Sequence, residues 1–161
     1  MTLGKEVNLM KNYPQSKRDV SGRLISKTSK DKKIAQQFGK DFFDGSRNQG
    51  YGGFTYNPRF WQPVIPTFQE HWNLKSGDSL LDIGCAKGFM LYDLKQLIPE
   101  IKVYGVDISK YAIKNSKKEV KKYCRVADAA DLPFDDDSID VVTSITTLHN
   151  LEENDLRIAL L

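Results

Sequence analysis

The chain has 161 residues, of which 40% are hydrophobic and 28% charged, and its formal net charge is +3. This length suits one domain with its own core, no apolar run approaches the ~20 residues that cross a bilayer, and the N-terminus lacks the apolar core of a signal peptide. Two cysteines and two histidines, set apart in sequence, argue against a disulfide framework and a metal site. The small net charge argues against a nucleic-acid partner, so we expect a cytoplasmic protein without membrane, metal or nucleic-acid contacts.

An N-terminal segment over residues 1–57 is predicted to precede the main domain. Residues 1–33 are polar and rich in lysine and serine, which indicates a mobile or loosely packed arm. Residues 34–43 have the spacing of a short helix. Glycines and aromatic residues then alternate over residues 50–58, which favours either a connecting loop with anchoring rings or a lid over a ligand site, with Tyr51 as one closing ring.

The pattern from residue 58 to 161 alternates short apolar strands with amphipathic helices. In chain order we predict a helix over 60–72, strands over 79–83, 101–106, 123–126 and 139–144, and helices over 89–98, from Ser109 to about 121, and from 152 onwards. The lysine run at 114–122 is interpreted as the solvated face of a helix. This order predicts an α/β fold of Rossmann-like type, a mostly parallel sheet between two helical layers that binds ligands at the carboxyl ends of its strands.

The turn after the first strand is the most informative segment. It reads Asp82-Ile-Gly84-Cys-Ala86-Lys-Gly88, an acidic residue followed by a turn of small residues at the start of a helix. Such a turn brings bare backbone and a helix N-terminus to a polar ligand, although small-residue turns also serve as plain strand-to-helix connections. A dinucleotide fingerprint would need its third glycine at position 89, where the chain has Phe89.

A second acidic residue, Asp107, ends the second strand, 19 positions after Gly88. A carboxylate there can accept hydrogen bonds from both hydroxyls of a ribose, which favours a nucleoside ligand without choosing one. The alternative for Asp107 alone is a solvent-facing cap. A third acidic stretch, Val126 to Phe134, contains Asp128 and follows the third strand.

These segments together resemble the four motifs of class I S-adenosylmethionine-dependent methyltransferases, of the methyltransferase type 11 group. The turn, Asp107, the Asp128 stretch and the strand ending at Ser144 stand in the family's order over about residues 60–161, and Phe38 to Phe54 resembles the leader of a bacterial and archaeal subgroup. The chain departs from the pattern at Ala86, where the family has a glycine. The last strands of the family's seven-stranded sheet are missing, so we expect a truncated member.

The resemblance implies a site for S-adenosyl-L-methionine. In it, Asp128 would accept from the adenine amino group and the next backbone N–H, that of Ala129, would contact the ring. The cofactor-binding residues that it implies are Asp82, Gly84, Cys85, Ala86, Gly88, Asp107, Ile108, Asp128, Ala129, Ser144 and Tyr51. His149 is the candidate general base because it is the histidine near the predicted site, with a structural, pocket-lining histidine as the alternative. Cys85 is interpreted as a packing residue of the turn.

The resemblance predicts methyl transfer to a small-molecule or glycan-type acceptor. The chain lacks the Asn-Pro-Pro-Tyr type of box after the fourth strand, which argues against a flipped base or an amide nitrogen as acceptor. Two alternatives stay open. One is an NAD-linked oxidoreductase. The other is a truncated, non-catalytic protein that binds the donor or acts as an interaction module, with its fourth strand as an exposed sheet edge through which a homodimer could form.

Overall fold

The fold is built on a four-stranded parallel sheet. The computed structural model describes residues 5–15 and 27–160, and within them the strands are β1 (Ser79–Ile83), β2 (Lys102–Asp107), β3 (Cys124–Val126) and β4 (Val141–Ser144). Their order in the sheet is β3-β2-β1-β4, and all three pairings are parallel. The predicted Rossmann-like α/β fold is thereby confirmed.

Seven helices of four to nine residues flank or precede the strands in the described part of the chain. In chain order they are α1 (Ser29–Ala35), α2 (Lys40–Asp44), α3 (Pro58–Trp61), α4 (Ile65–Trp72), α5 (Phe89–Leu97), α6 (Lys110–Lys114) and α7 (Glu153–Ala159), with short 3₁₀ turns at Lys121–Tyr123 and Leu148–Asn150. None of them has the length and apolar character that crossing a membrane requires.

Strand β1 forms the centre of the core because its neighbours β2 and β4 cover both of its edges. All five of its residues are buried, as its apolar sequence predicts. Leu80 packs in one cluster with Phe68 of α4 and with Leu91 and Leu94 of α5. This packing fixes α5 on the sheet and so fixes the turn that joins β1 to α5.

The helix predicted over residues 34–43 is wrong, because the chain forms two helices there. Phe38 has a φ of 47°, outside the helical region, and Gly39 is the N-cap of α2. Helix α1 begins at Ser29, inside the predicted polar arm, because Thr28 and Asp31 form a reciprocal capping box.

Part of the predicted arm packs on the domain. Leu9, Met10 and Tyr13 lie against the main core cluster, and the amide nitrogen of Asn12 donates to the hydroxyl of Thr67 at 3.2 Å. The predicted arm also covers residues 1–4 and 16–26, which lie outside the described residues.

The helix that begins after Ser109 is much shorter than predicted. The Ser109 hydroxyl caps it by accepting from Ala112 N at 3.0 Å, but α6 ends at Lys114. Beyond it, Lys117 N donates to the carbonyl of Lys87 at 2.9 Å, and the Lys117 ammonium lies 3.9 Å from the centre of the Tyr92 ring. The lysine run is therefore not one helix face, because a tertiary contact turns the chain back towards α5.

Candidate functional site

The turn between β1 and α5 is held against β2 by its own backbone. The N–H groups of Gly84 and Cys85 both donate to the carbonyl of Val106, at 2.8 and 3.0 Å. Gly84 has a φ of +85°, and a Cβ there would lie 1.9 Å from Oγ1 of Thr147. Only glycine accommodates both the backbone angle and this close approach. At Gly84 the turn thus exposes main-chain atoms that no side chain covers, and the loop after β4 crosses directly over it.

Asp107 lies beside this turn, as its position at the end of β2 predicts. Its Oδ2 accepts from Ala86 N and its Oδ1 from Ser109 N, both at 2.8 Å. Burial raises the pKa of Asp107, and these two backbone hydrogen bonds oppose the rise. The carboxylate therefore ties the turn to the β2 end, and each oxygen keeps a lone pair with which it can accept from a further donor.

Asp82 is buried in β1 below the turn. Its Oδ1 accepts a hydrogen bond from Oγ1 of Thr143 on β4 at 3.2 Å. Burial raises the pKa of Asp82 to about 7, with the Thr143 hydrogen bond lowering it and the charge of Asp107 raising it further. Near neutral pH the Asp82 side chain, which lies beneath the turn, can thus be either a carboxylic acid or a carboxylate.

This raised pKa predicts a pH-dependent stability that Asp82→Asn removes. Between pH 4 and 7 the unfolded chain loses the Asp82 proton while the folded chain keeps it, so the free energy of unfolding falls as the pH rises. The full effect is on the order of 4 kcal/mol, at 1.36 kcal/mol per unit of pKa. Urea unfolding of both proteins at pH 4 to 7.5 measures it, with Asp136→Asn in the exposed loop before β4 as the matched control. Parallel pH profiles for wild type and Asp82→Asn would contradict the assignment.

The end of β4 contributes a polar atom without a partner. The hydroxyl oxygen of Ser144 is buried and makes no hydrogen bond to any described residue. Ser144 is the ladder partner of Ile83, the residue directly before Gly84. Because a buried hydroxyl without a partner costs about 1–3 kcal/mol, this atom is suited to a ligand group bound at the turn.

The remaining predicted cofactor residues lie in the loops beyond β2 and β3. Ala127 N donates to the carbonyl of Asp107 at 3.3 Å, which brings Asp128 and Ala129 to the same end of the sheet. Asp128 is exposed, and its Oδ1 accepts from Ala130 N at 3.0 Å. Ile108 is 57% exposed. These side chains present an open acidic and apolar rim next to the turn.

His149 and Tyr51 are held less closely to the turn. His149 lies in the exposed 3₁₀ turn after β4, and no hydrogen bond within the described chain orients its ring. Tyr51 packs on Phe43 and Phe54, and Phe54 stacks at 5.1 Å on Phe89, the first residue of α5. The segment that contains Tyr51 therefore rests on the turn through Phe54.

Two residues that the sequence analysis passed over, Lys87 and Asp44, join this N-terminal segment to the turn. The Lys87 ammonium is 2.7 Å from Oδ2 of Asp44 and 2.8 Å from the carbonyl of Phe54. Asp44 also accepts from Phe54 N and from the hydroxyl of Tyr111. Burial opposes ionisation of Asp44, but the hydrogen bond from Lys87 and the two others lower its pKa to about 2. The one sequence signal for this hub is a lysine among the small residues of the turn.

The described residues contain no cluster of histidine, cysteine and acidic side chains that could hold a metal ion. What they bring together is a turn whose glycines have positive φ, a carboxylate held at the next strand end and an unpartnered hydroxyl, all at the carboxyl edge of a parallel sheet. This arrangement is that of the ligand-binding edge of a Rossmann-like sheet.

Comparison with known proteins names the family. Residues 81–160 match the family model described as a methyltransferase domain. The chain is 30% identical over 99 residues to demethylmenaquinone methyltransferase of Symbiobacterium thermophilum, covering 56% of this chain and 39% of that protein. It is 31% identical over 87 residues to 27-O-demethylrifamycin SV methyltransferase of Amycolatopsis mediterranei, covering 50% and 32%. Residues 81–160 therefore belong to the methyltransferase-domain family, which confirms the resemblance to class I S-adenosylmethionine-dependent methyltransferases that the motifs indicated.

A solved structure supports the fold. The phosphoethanolamine N-methyltransferase 2 of Haemonchus contortus, in complex with phosphomonomethylethanolamine and S-adenosylhomocysteine, superposes with a TM-score of 0.56 at 18% identity, covering 78% of this chain and 32% of that one. At this identity the likeness concerns the fold alone. The chain spans between about a third and two fifths of the length of these two curated relatives.

Proposed function

We propose that this chain binds S-adenosylmethionine at the turn of residues 84–88 and transfers its methyl group to a small-molecule acceptor. The observation that carries the proposal is the pairing of the Gly84 turn with Asp107, whose carboxylate is fixed 2.8 Å from Ala86 N. Membership of residues 81–160 in a methyltransferase domain supports this donor over a nicotinamide dinucleotide.

The residues present fit a nucleoside donor with an amino-acid tail. Asp107 would accept from the ribose hydroxyls, Asp128 from the adenine amino group, and the backbone of Ile108 and Ala129 would border the base. The bare backbone at Gly84, Cys85, Ala86 and Gly88, with the hydroxyl of Ser144, would face the methionine part. Asp82, which titrates near neutrality, would favour the cationic end of the donor in its ionised form.

The donor supplies an electrophilic methyl group on a sulfonium, so the protein's task is positioning. The loop after β4 passes over Gly84 through Thr147, and with the segment of Tyr51 and Phe54 it would shield the reacting centre from water. If the acceptor is a hydroxyl, a base must take its proton. We propose His149 for this role because it lies in the loop after β4, two residues beyond Thr147, and its side chain is exposed.

A small molecule is the acceptor class that the relatives favour. The names of the two curated relatives describe methylation of a menaquinone precursor and of a rifamycin precursor. We carry over the class, a small molecule, and not either substrate. A glycan hydroxyl would present the same chemistry to His149.

Donor binding tests the proposal. Isothermal titration with S-adenosylmethionine, S-adenosylhomocysteine and NAD is expected to give binding to the first two and none to NAD. Asp107→Ala is expected to weaken donor binding by about 1.5–3 kcal/mol, the loss of a charged hydrogen-bonding partner. Asp136→Ala in the exposed loop before β4 is the matched control and should bind like wild type.

Because Asp107 also holds Ala86 N and Ser109 N, the same titration is repeated with Asp107→Asn, which keeps the size of the side chain. Donor affinity unchanged in both variants would show that the ribose does not lie at Asp107. Binding of NAD without S-adenosylmethionine would overturn the proposed function and favour an oxidoreductase. Donor binding without methyl transfer to any hydroxylated acceptor would favour a non-catalytic binding protein.

A further inference from the structure

The two cysteines of the chain, Cys85 and Cys124, meet beneath the turn. They are far apart in sequence and are the two that the chain contains, yet the two thiols lie close enough for each to shift the pKa of the other. The Cys85 thiol donates to the carbonyl of Ala86 at 3.9 Å, and the Cys124 thiol donates to the carbonyl of Val120 at 3.5 Å. Cys85 is 5% exposed and Cys124 9%. The proposed methyl transfer uses the backbone of Cys85 and has no role for either sulfur.

Gly105 makes this meeting sterically feasible. It lies on β2 directly between the two cysteines, and Cys124 is its ladder partner on β3. A Cβ on Gly105 would lie 2.7 Å from the sulfur and 3.0 Å from the Cβ of Cys85. Because position 105 has no side chain, Cys85 can reach across β2 towards β3.

The sulfur of Cys124 also touches the turn from below. It would lie 3.2 Å from a Cβ placed on Gly88, the residue that precedes α5. The thiol pair therefore occupies the space between the Gly84–Gly88 turn and the sheet, and any change in the distance between the sulfurs acts on the turn.

The two sulfurs are not equivalent. The contact between the two thiols raises the pKa of Cys85, with burial as the second cause. The same contact lowers the pKa of Cys124, where burial opposes the change and Ser116 supports it. Cys124 is also the more exposed of the two residues, at 9% against 5%. Since the thiolate is the reactive form of cysteine, we assign the first reaction with an oxidant to Cys124 and the second step to Cys85.

We propose that Cys85 and Cys124 form an oxidative modification site, in which a peroxide converts the thiol pair into a disulfide that displaces the turn and weakens donor binding. The effect on the donor rests on the proposed function; disulfide formation does not. Each step balances. Cys124 sulfur attacks a peroxide oxygen, the O–O bond breaks, and water leaves behind a sulfenic acid. Cys85 sulfur then attacks Cys124 sulfur, the S–O bond breaks, and the thiol proton of Cys85 leaves with the hydroxide as a second water.

The disulfide would change the geometry of the site because an S–S bond is about 2.05 Å long, much shorter than a non-bonded contact between two sulfurs. Cys124 belongs to the sheet, where its backbone pairs with β2. Cys85 belongs to the turn, so shortening the distance between the two sulfurs pulls directly on the turn. The next residue after Cys85 is Ala86, whose N–H donates to Asp107. A displacement of Cys85 is therefore expected to disturb this hydrogen bond.

Intact mass spectrometry of the full chain, reduced and then treated with hydrogen peroxide, is the first test. We expect a loss of two hydrogens, together with a linked peptide pair containing Cys85 and Cys124 in a non-reducing digest. Cys124→Ser and Cys124→Ala should show neither, and circular dichroism checks that at least one of them folds. A mass increase from added oxygen atoms without a linked peptide pair would refute the proposed modification site. Disulfides that form only between two chains would refute it as well.

Donor affinity is the second test. Oxidised wild type is expected to bind S-adenosylhomocysteine at least fivefold more weakly than reduced wild type, and dithiothreitol should restore the affinity. Treatment with peroxide should leave the affinity of the Cys124 variants unchanged. A linked pair with unchanged affinity would refute the effect on the turn. If the reduced protein does not bind the donor at all but the linked pair forms, the proposed function fails and the modification site stands.

Discussion

Gly84→Ala is expected to abolish measurable donor binding and to destabilise the fold, because the new methyl group meets two obstacles. The φ of +85° is unfavourable for alanine by about 1–2 kcal/mol, and the Cβ would lie 1.9 Å from Oγ1 and 2.7 Å from Cβ of Thr147. Forcing the loop after β4 away adds about 1–3 kcal/mol of overpacking. Urea unfolding and isothermal titration measure the two effects separately.

The chain offers a matched control for this substitution. Gly77 precedes β1 at the opposite end of the strand with a φ of +94°, and a Cβ there meets nothing within 4 Å. Gly77→Ala should carry the backbone penalty alone and bind the donor like wild type. Equal losses of stability in the two variants would show that Thr147 does not crowd the turn, and retained donor affinity in Gly84→Ala would contradict the site.

The second large effect is expected from Lys87→Met, which breaks the ion pair between the turn and the N-terminal segment. The Lys87 side chain is 9% exposed and that of Asp44 25%. Removing one partner of a fully buried pair costs about 3–5 kcal/mol, and the partial exposure of Asp44 reduces this to about 2–3 kcal/mol. We also expect weaker donor binding, and faster amide exchange over residues 44–54, because their anchor on the turn is lost.

A double-mutant cycle separates the ion pair from other effects. Asp44→Asn and Lys87→Met are compared with the combined variant, and the coupling is expected at about 1–2 kcal/mol, within the range of residues in direct contact. Lys114→Met, exposed at the end of α6, is the control for loss of a positive charge. Additive effects of the two substitutions would show that the pair contributes no coupling.

The sequence was sufficient to predict the parallel sheet and the residues that lie along its carboxyl edge. Strand β1 was predicted with its observed bounds because a buried apolar run between two glycine turns has few alternatives. Asp107 was placed beside the turn because parallel strands end at the same edge. These inferences rest on local pattern and on one rule of topology.

Long-range contacts account for what the sequence did not reveal. The hub of Lys87 and Asp44 joins residues 43 positions apart, and neither residue alone marks such a pair. Helix α6 ends early because Lys117 N bonds to the carbonyl of Lys87, a contact that no helical pattern encodes. The two cysteines can approach each other because Gly105 on β2 has no side chain. Neither cysteine's own sequence neighbourhood contains this information.

Lys87 has a consequence for how the site assembles. Its ammonium is bound by a segment that precedes it by 43 residues, and its carbonyl by Lys117, which follows it beyond β2 and α6. Contacts between distant parts of a chain form slowly, since loop closure must come first. We therefore expect the turn to take its final shape only after segments on both sides of it have folded, so that competence to bind a ligand is acquired late in folding.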